Sequence, residues 1–384
     1  MIESEEQARP LRKTVRARAF AVHIFTALGA GLALMALLGA SVALLERLEV
    51  WPRCRDASAP LRVMRLVDDT GRLLRAPEAR FEASEIGLDA FGHNIENKHL
   101  VEALEAEAAK YENLVRFDDD AAAVATSDVD AEIRCAQGAM LRSRLVIGAD
   151  GRNSLCRTAA GIEVGRRELT QSALTLNIEH ARPHGGVSTE FHTANGPCVF
   201  VPLPGNRSSV VWVTKPEEAT RLSTLSDDEL ALAVERQAHS HLGRVRVGPA
   251  RHLFPLTFEQ AKPIAARRVA LIGEAAHVLP PIGAQGLNLG LRDAAEIAAI
   301  AQDALLMGRD PGDDSALADY QRRRKLDVFS RSFAVDFANR SLLSDFLPVQ
   351  LARSLGMQAL HEIGPLRRFV MRQAIAPRSF GSHR

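Results

Sequence analysis

"RRVALIGEAAHVLPPIGAQGLNLGLRDAAEIA", residues Arg267 to Ala298, is the stretch on which the fold turns. Val269 to Ile272 is a short, unbroken apolar run of the kind that forms a buried strand. Gly273 lets a ligand approach the backbone closely, and Glu274 offers a carboxylate at the strand end to a sugar or polyol hydroxyl. Ala275 and Ala276 keep the space beside it open. Pro280 and Pro281 stiffen a turn, and Gly283 and Gly286 lead directly into a helix predicted over Leu287 to Leu305. The free amides and positive dipole end at such a helix start hold an anion or a partly negative carbonyl. A loop that merely joined strand to helix would need neither the paired alanines nor two glycines immediately before the helix.

A second stretch, "RLVIGADGRNSLCR" from Arg144 to Arg157, carries the same logic in weaker form. The apolar strand Arg144 to Ala149 delivers Asp150 and Gly151 at its carboxyl end, with Ser154 and Arg157 following. Ligands of α/β sheets sit outside those strand ends. An Asp-Gly pair alone is an ordinary turn. With Ser154 and Arg157 at fixed offsets, the acid, the flexible glycine and the cation suit contact with a diphosphate and a sugar.

Composition bounds the rest. A chain of 384 residues with 46% hydrophobic content suits two domains or one large two-part domain. The net charge is +1, and the basic clusters Arg322 to Lys325 and Arg367-Arg368 fall within amphipathic helical patterns, which argues against nucleic acid as a partner. The four cysteines form no C-x-x-C pair, which speaks against a disulfide framework or a zinc site and for a reducing, cytoplasmic setting. None of the 12 histidines pairs with another at H-x-x-x-H spacing beside a Glu, so no metal site is expected.

Strand and helix patterns alternate along the chain. Leu61 to Val67 and Arg72 to Arg75, joined by Asp68-Asp69-Thr70-Gly71, read as a hairpin. Asn97 to Lys110 reads as a helix with Leu100, Ala103, Leu104 and Ala108 on one face. Between Gly185 and Thr214 the turn signals "ANGP" and "LPGNRS" separate three apolar or alternating runs, an antiparallel sheet distinct from the parallel part. Ser226 with Glu229 forms a capping box that opens a helix to Ser240, and the chain is mostly helical from Ala294 to about Ala374. Phe191, Phe200, Val201 and Trp212 on the antiparallel sheet are candidates for an apolar substrate wall, with core packing the plainer account of each.

With both motifs in view, the chain resembles the flavin-dependent aromatic hydroxylases of the p-hydroxybenzoate hydroxylase-like fold, and most of all their ubiquinone-biosynthesis branch. "DGRNSLCR" looks like the family motif D-G-x-x-S-x-x-R, matched at Asp150, Gly151, Ser154 and Arg157. "LIGEAAHVLPPIGAQGLNLGLRD" looks like the next, matched at Gly273, Ala275, Ala276, His277, Pro281, Gly286, Asn288 and Asp293. "FGHNIENKHLVEAL" (Phe91 to Leu104) and "GPLRRFVMRQAIAP" (Gly364 to Pro377) extend the likeness to roughly residues 35 to 377. Glu274 stands where many members of the wider family have Asp, and Asn97 and Lys98 stand where many have Arg beside the flavin diphosphate.

The amino terminus departs further. Family members open with a strand, G-x-G-x-x-G and a helix, then a second strand ending in an acid. Here the candidate is Gly29-Ala30-Gly31, with the third small residue missing. Between Ala19 and Leu45 only His23, Thr26 and Ser41 interrupt an apolar run, long enough to cross a bilayer. Val42, Leu45 and Leu48 nevertheless follow soluble-helix spacing, with Glu46, Arg47 and Glu49 on other faces, so a membrane span is the lesser reading. From about Met35 the segment reads as a helix of the nucleotide-binding part. The first flavin-binding unit is expected to be absent or replaced by residues 1 to about 33, as a truncated gene or a shifted reading frame would produce.

The resemblance implies an α/β fold: a Rossmann-like FAD/NAD(P)-binding domain with an incomplete first βαβ unit, an inserted antiparallel-sheet substrate domain and a helical carboxyl terminus. The expected division is 1–60 as an atypical first part of the FAD-binding domain, 61–90 as a substrate-domain hairpin, and 91–165 as FAD-binding domain. Residues 166–262 then form the substrate domain, 263–310 return to the FAD-binding domain, and 311–384 are helical. The implied activity is a monooxygenase that uses FAD, NAD(P)H and O2 to hydroxylate an aromatic ring in ubiquinone biosynthesis. The alternatives are a flavin reductase or dehydrogenase on the same fold, or a flavin-free remnant that only binds partners. Expected cofactor contacts are Asn97, Asp150, Gly151, Ser154, Arg157, Gly273, Glu274, Ala276, Pro281, Gly283, Gly286, Leu287 and Asn288. No general base is assigned, because the flavin does the chemistry in this fold. A prenylated phenol or quinone precursor as substrate would bring the protein to the inner membrane as a peripheral visitor, or into a ubiquinone-making assembly.

Overall fold

The structure is a computed structural model that describes residues 34–71, 75–281, 285–343, 356 and 358–375. Gly29 to Gly31, the glycine-loop candidate, and Gly283 lie outside the described residues. The described chain begins with β1 (Leu34–Leu38), α1 (Gly39–Arg47) and a short α2 (Trp51–Cys54). Then come β2 (Ser58–Leu61), β3 (Val63–Asp68), β4 (Ala79–Glu82) and β5 (Gly92–Glu96). β5 lies between β1 and β2 and is antiparallel to both, with Leu34 opposite Glu96 and Leu38 opposite Gly92.

The helix expected from about Met35 therefore starts at Gly39 instead. An apolar run without polar punctuation fits strand and helix alike, and here tertiary partners decide. The β5 backbone pairs with Leu34 to Leu38, and the Asn288 side chain accepts the Leu38 amide at 2.9 Å. α1 then buries Val42 and Leu45, and Leu48 just after it is buried too, the face the spacing predicted, with Leu44 buried beside them.

The hairpin is corrected in register. β3 pairs with β4, with Val63 opposite Glu82 and Leu66 opposite Ala79, while residues 72–74 of the expected returning strand lie outside the described residues. Asp68 is the cause: its carboxylate accepts the amides of both Thr70 (3.1 Å) and Ala76 (2.9 Å), which closes a wider loop than a tight Asp-Gly turn.

α3 (Asn97–Ala108) leaves β5 and buries Leu100, Ala103, Leu104 and Ala108. A meander follows, β6 (Ala121–Thr126), β7 (Ala131–Cys135) and β8 (Met140–Ser143), then β9 (Val146–Gly148) and α4 (Leu155–Ala159). The long β10 (Glu163–His180) leads into β11 (Val187–Thr193), β12 (Gly196–Leu203) and β13 (Arg207–Thr214). Next are α5 (Pro216–Thr224), α6 (Asp227–Gln237) and β14 (Val245–Lys262), with both hydrogen bonds of the Ser226–Glu229 capping box present. The chain ends with β15 (Ala265–Ala266), β16 (Val269–Leu271), β17 (His277–Val278), α7 (Gln285–Leu306), α8 (Asp314–Leu343) and α9 (Gly364–Ile375).

Two layers result. One is an eight-stranded sheet in the order β17-β14-β10-β13-β12-β11-β3-β4, antiparallel except where β3 runs parallel to β11. The other holds the β1-β5-β2 sheet and the β15-β16-β9 sheet, in which β16 and β9 are parallel. Its core gathers Leu37, Trp51, Ile95, Leu100, Ile272, Ile297 and Tyr320 around the apolar faces of α1, α3, α7 and α8. Each such side chain contributes about 1.5 to 3 kcal/mol through burial. A second core packs one face of the large sheet against α5 and α6, and Phe191, Phe200 and Trp212 belong to it. Val201 is half-buried and points from β12 to the opposite face, since successive side chains alternate.

Gly92 marks a tight crossing between β5 and β1. A β-carbon there would lie 2.1 Å from the Leu37 carbonyl oxygen. Gly92→Ala is therefore expected to cost about 1 to 3 kcal/mol by overpacking. Urea unfolding should show a lower midpoint at an unchanged slope; an unchanged midpoint would mean β1 is not held against β5.

Candidate active site

β9 and β16 run side by side, with Val146 opposite Val269 and Gly148 opposite Leu271, so both motifs emerge from adjacent carboxyl ends. The close fit there requires Gly148, where a β-carbon would meet Cys156 Cβ at 2.7 Å and Leu271 Cδ2 at 2.9 Å. Beyond it the Asp150 carboxylate accepts the Ser154 hydroxyl at 2.6 Å and the Cys156 amide at 3.0 Å. Ser154 in turn caps α4 by accepting the Arg157 amide at 2.9 Å. Burial first, and then the charge of Asp150, push the Cys156 thiol up to about 12, so it serves as a packed neutral group.

Arg157 joins the two motifs. Its Nη1 donates to the Ala275 carbonyl at 3.0 Å and its Nη2 to the Arg152 carbonyl at 2.6 Å. Asp150, Ser154 and Arg157 are thus occupied with shaping the loop. Gly151, at φ 75°, brings the main chain round the strand end. Arg152, which the motif reading passed over, reaches Glu274 at 3.2 Å, both of them partly exposed. Its position next to Gly151 was the available signal.

The β16 end is held from below by one carboxylate. Asp293 on α7 accepts the Gly273 amide at 3.1 Å and His277 Nε2 at 2.7 Å on one oxygen, and Arg324 Nε of α8 at 2.7 Å on the other. Burial opposes ionisation of Asp293, but Arg324 and then His277 outweigh it and hold the carboxyl well below the usual range. Arg324 also donates to Asp327 at 2.7 Å. Tyr320 donates its hydroxyl to the Leu271 carbonyl at 2.8 Å, a second tie from α8 to the same strand. His277 is almost fully buried, and its Nδ1 has no partner among the described residues.

α7 begins at Gln285 beside this turn. A β-carbon at Gly286 would meet nothing within 4 Å, so the helix start faces open space. Leu287 is half-buried against the core, and Ala276 is buried behind the turn. Gly290 lets α7 pass close by, since a β-carbon there would sit 3.3 Å from Gly273 Cα. Asn288 faces inward, its Oδ1 accepting the Leu38 amide at 2.9 Å and the Ser41 hydroxyl at 2.6 Å. Pro281 is half-buried at the near side of the turn. Asn97 begins α3, after Glu96, and its Oδ1 is buried without a partner among the described residues. Glu96 ties this layer to the large sheet by accepting Asn177 Nδ2 at 3.0 Å and Arg207 Nη2 at 2.9 Å.

These features suit a dinucleotide flavin. Asn97 Oδ1 is an acceptor without a partner among the described residues, Glu274 engages Arg152 through one oxygen, and a β-carbon at Gly286 in the first turn of α7 would meet open space. Among the described residues no cluster of His, Cys, Asp and Glu has the makings of a metal site. The architecture and this site define the class, a flavoprotein monooxygenase. Solved structures share the fold. One is p-nitrophenol 4-monooxygenase PnpA from Pseudomonas putida, at TM-score 0.74 and 16% identity over 95% of each chain. Another is a variant of Klebsiella pneumoniae HpxO complexed with FAD, at TM-score 0.70 and 18% identity, covering 94% of this chain and 95% of that one.

A family model described as an FAD binding domain matches residues 37–329. The ubiquinone hydroxylase UbiL of Rhodospirillum rubrum is 34% identical over 340 residues, 88% of this chain and 78% of the relative. The 3-demethoxyubiquinol 3-hydroxylase of Escherichia coli is 30% identical, over 88% of this chain and 86% of the relative. This chain belongs to the FAD-binding-domain family, in the branch that holds these ubiquinone hydroxylases, and it is an FAD-dependent monooxygenase.

Asp293→Asn leaves Arg324 buried beside a neutral amide, and the expected loss is about 3 to 5 kcal/mol in urea unfolding at neutral pH. Because the folded carboxyl titrates below its unfolded value of about 4, its contribution is complete above that pH and is lost as pH falls through the folded value. Wild type should therefore lose stability below about pH 4 more steeply than the Asn variant. Parallel acid profiles would show that Asp293 carries no such linkage.

Proposed function

We propose that this chain hydroxylates the aromatic ring of a prenylated ubiquinone precursor, using NAD(P)H and O2, with FAD held across the ends of β9 and β16. The observation that carries this reading is the convergence of Gly151, Glu274 and the α7 start at adjacent strand ends, tied by the Arg157 bond to Ala275. The relatives named for ubiquinone hydroxylation support the substrate class. When bound, FAD supplies the electron transfer and oxygen activation. The chain supplies position and electrostatics. Glu274 would accept from cofactor hydroxyls, Asn97 would receive a donor at the start of α3, and the first amides of α7 would hold an electron-rich group of the cofactor. Asp293 and Arg324 hold that helix start in register with the turn. A prenyl tail on the substrate places the protein at a membrane surface at least while it loads. No helix among the described residues is long and apolar enough to cross a membrane.

Purified protein incubated with FAD, NAD(P)H and a short-tailed prenylphenol should yield hydroxylated product in step with oxygen consumed. NAD(P)H oxidation without product would favour a flavin reductase, and failure to take up FAD would defeat both. Glu274→Ala should weaken FAD affinity about ten- to a hundredfold, the worth of one hydrogen bond to a charged group, read by quenching of flavin fluorescence. Unchanged affinity would remove Glu274 from the contact.

A further inference from the structure

α9 is anchored on one side only. Met371 is buried in a small core with Leu61, Phe81 and Phe91, and Arg367 grips Glu85 through Nε at 2.8 Å and Nη2 at 2.7 Å. Away from that anchor the helix exposes an apolar stripe. Phe369 is 58% exposed, Leu366 and Val370 are each 39% exposed, and Ile363 just before the helix is 49% exposed. Positions 363, 366 and 370 follow the spacing i, i+3, i+7, and with Phe369 they cover about 120° of the helix surface. The flank between stripe and anchor is cationic, with Arg372 exposed, Arg368 half-buried across Gly364, and His361 exposed one turn earlier. The segment Gly364–Ile375 contains no acidic residue, and the exposed Glu362 before it accepts from Gln358.

From this arrangement we propose that α9 docks the protein on an anionic lipid surface, lying in the interface with Phe369, Leu366, Val370 and Ile363 inserted and Arg368 and Arg372 on the phosphates. An aromatic and aliphatic face beside a basic flank on a helix of low overall hydrophobicity is the pattern of interfacial helices. The basic flank beside the stripe meets opposite charge on an anionic lipid surface, which argues for lipid as the occupant. The inference gives a surface to the peripheral contact described above, but it stands on α9 and not on the identity of the reaction.

The test is sedimentation of the full chain with vesicles of phosphatidylcholine alone or with phosphatidylglycerol added. Wild type should bind the mixed vesicles and only weakly the neutral ones. Leu366→Ser with Phe369→Ser should lower binding to the mixed vesicles more than tenfold. Arg368→Gln with Arg372→Gln should lower it about thirtyfold, roughly fivefold per charge, and leave binding to neutral vesicles unchanged. Thermal melting should match wild type in both variants, since the replaced side chains are not core. Absent binding, or equal binding of wild type and variants, would overturn the proposal. So would a wild-type dimer that the Ser variant converts to monomer. Flavin uptake and product formation in the same preparations report on the reaction separately.

Discussion

The Asp293 carboxylate is the constraint on which the site depends. Four elements meet on its two oxygens: α7, which carries it, the Gly273 turn, β17 through His277, and α8 through Arg324. Placing an ionised group at 0% exposure costs several kcal/mol in desolvation. Arg324, itself backed by Asp327, offsets that cost. The return is geometric. A neutral contact would let α7 rotate or slide against β16 by a fraction of a turn, whereas hydrogen bonds at 2.7 Å to His277 and Arg324 on opposite oxygens admit one azimuth. That azimuth directs the α7 amides outward from the strand end and sets Gly290 against Gly273.

Glu96 performs the corresponding task between the layers. It ends β5 just before α3 and accepts from Asn177 of β10 and Arg207 of β13 on one oxygen. Its side chain is about one-tenth exposed, so these bonds act in a poorly screened setting. The strand that carries Asn97 toward the cofactor side is thereby set against the face of the large sheet that bears Val201.

Much of this was legible in the chain itself, and the reason is locality. The strand-end glycines, the paired alanines and the helix start fall within one short segment, and so does Asp150 with Ser154 and Arg157. Their chemistry is written in spacing. The Ser226 capping box is legible for the same reason, its two hydrogen bonds spanning three residues. What stayed hidden depends on partners far along the chain. Arg157 and Ala275 are 118 positions apart, and Leu38 and Asn288 are 250 apart. Leu34 to Leu38 is the instructive case: its apolar run is equally a strand or a helix, and only β5 and the Asn288 amide oxygen distinguish them. The β3–β4 register was hidden in another way, because Asp68 reaches past the expected turn to the Ala76 amide.

Motif side chains also turn out to work indirectly. Asp150, Ser154, Arg157 and Asn288, expected from the sequence as cofactor contacts, also make hydrogen bonds to the protein's own turns and strands. What they leave facing the strand ends is largely main chain: the Gly151 turn, the Gly273 turn and the first amides of α7. A main-chain surface has fixed dipoles and little freedom to reorganise, which is what stabilisation of developing charge on a bound ring demands. It also accounts for the glycines. At Gly273, φ 57°, the backbone adopts a conformation that L residues resist, and Gly290 lets α7 pass close to it. The motif thus builds the backbone turns at the strand ends, with Glu274 partly exposed beside them.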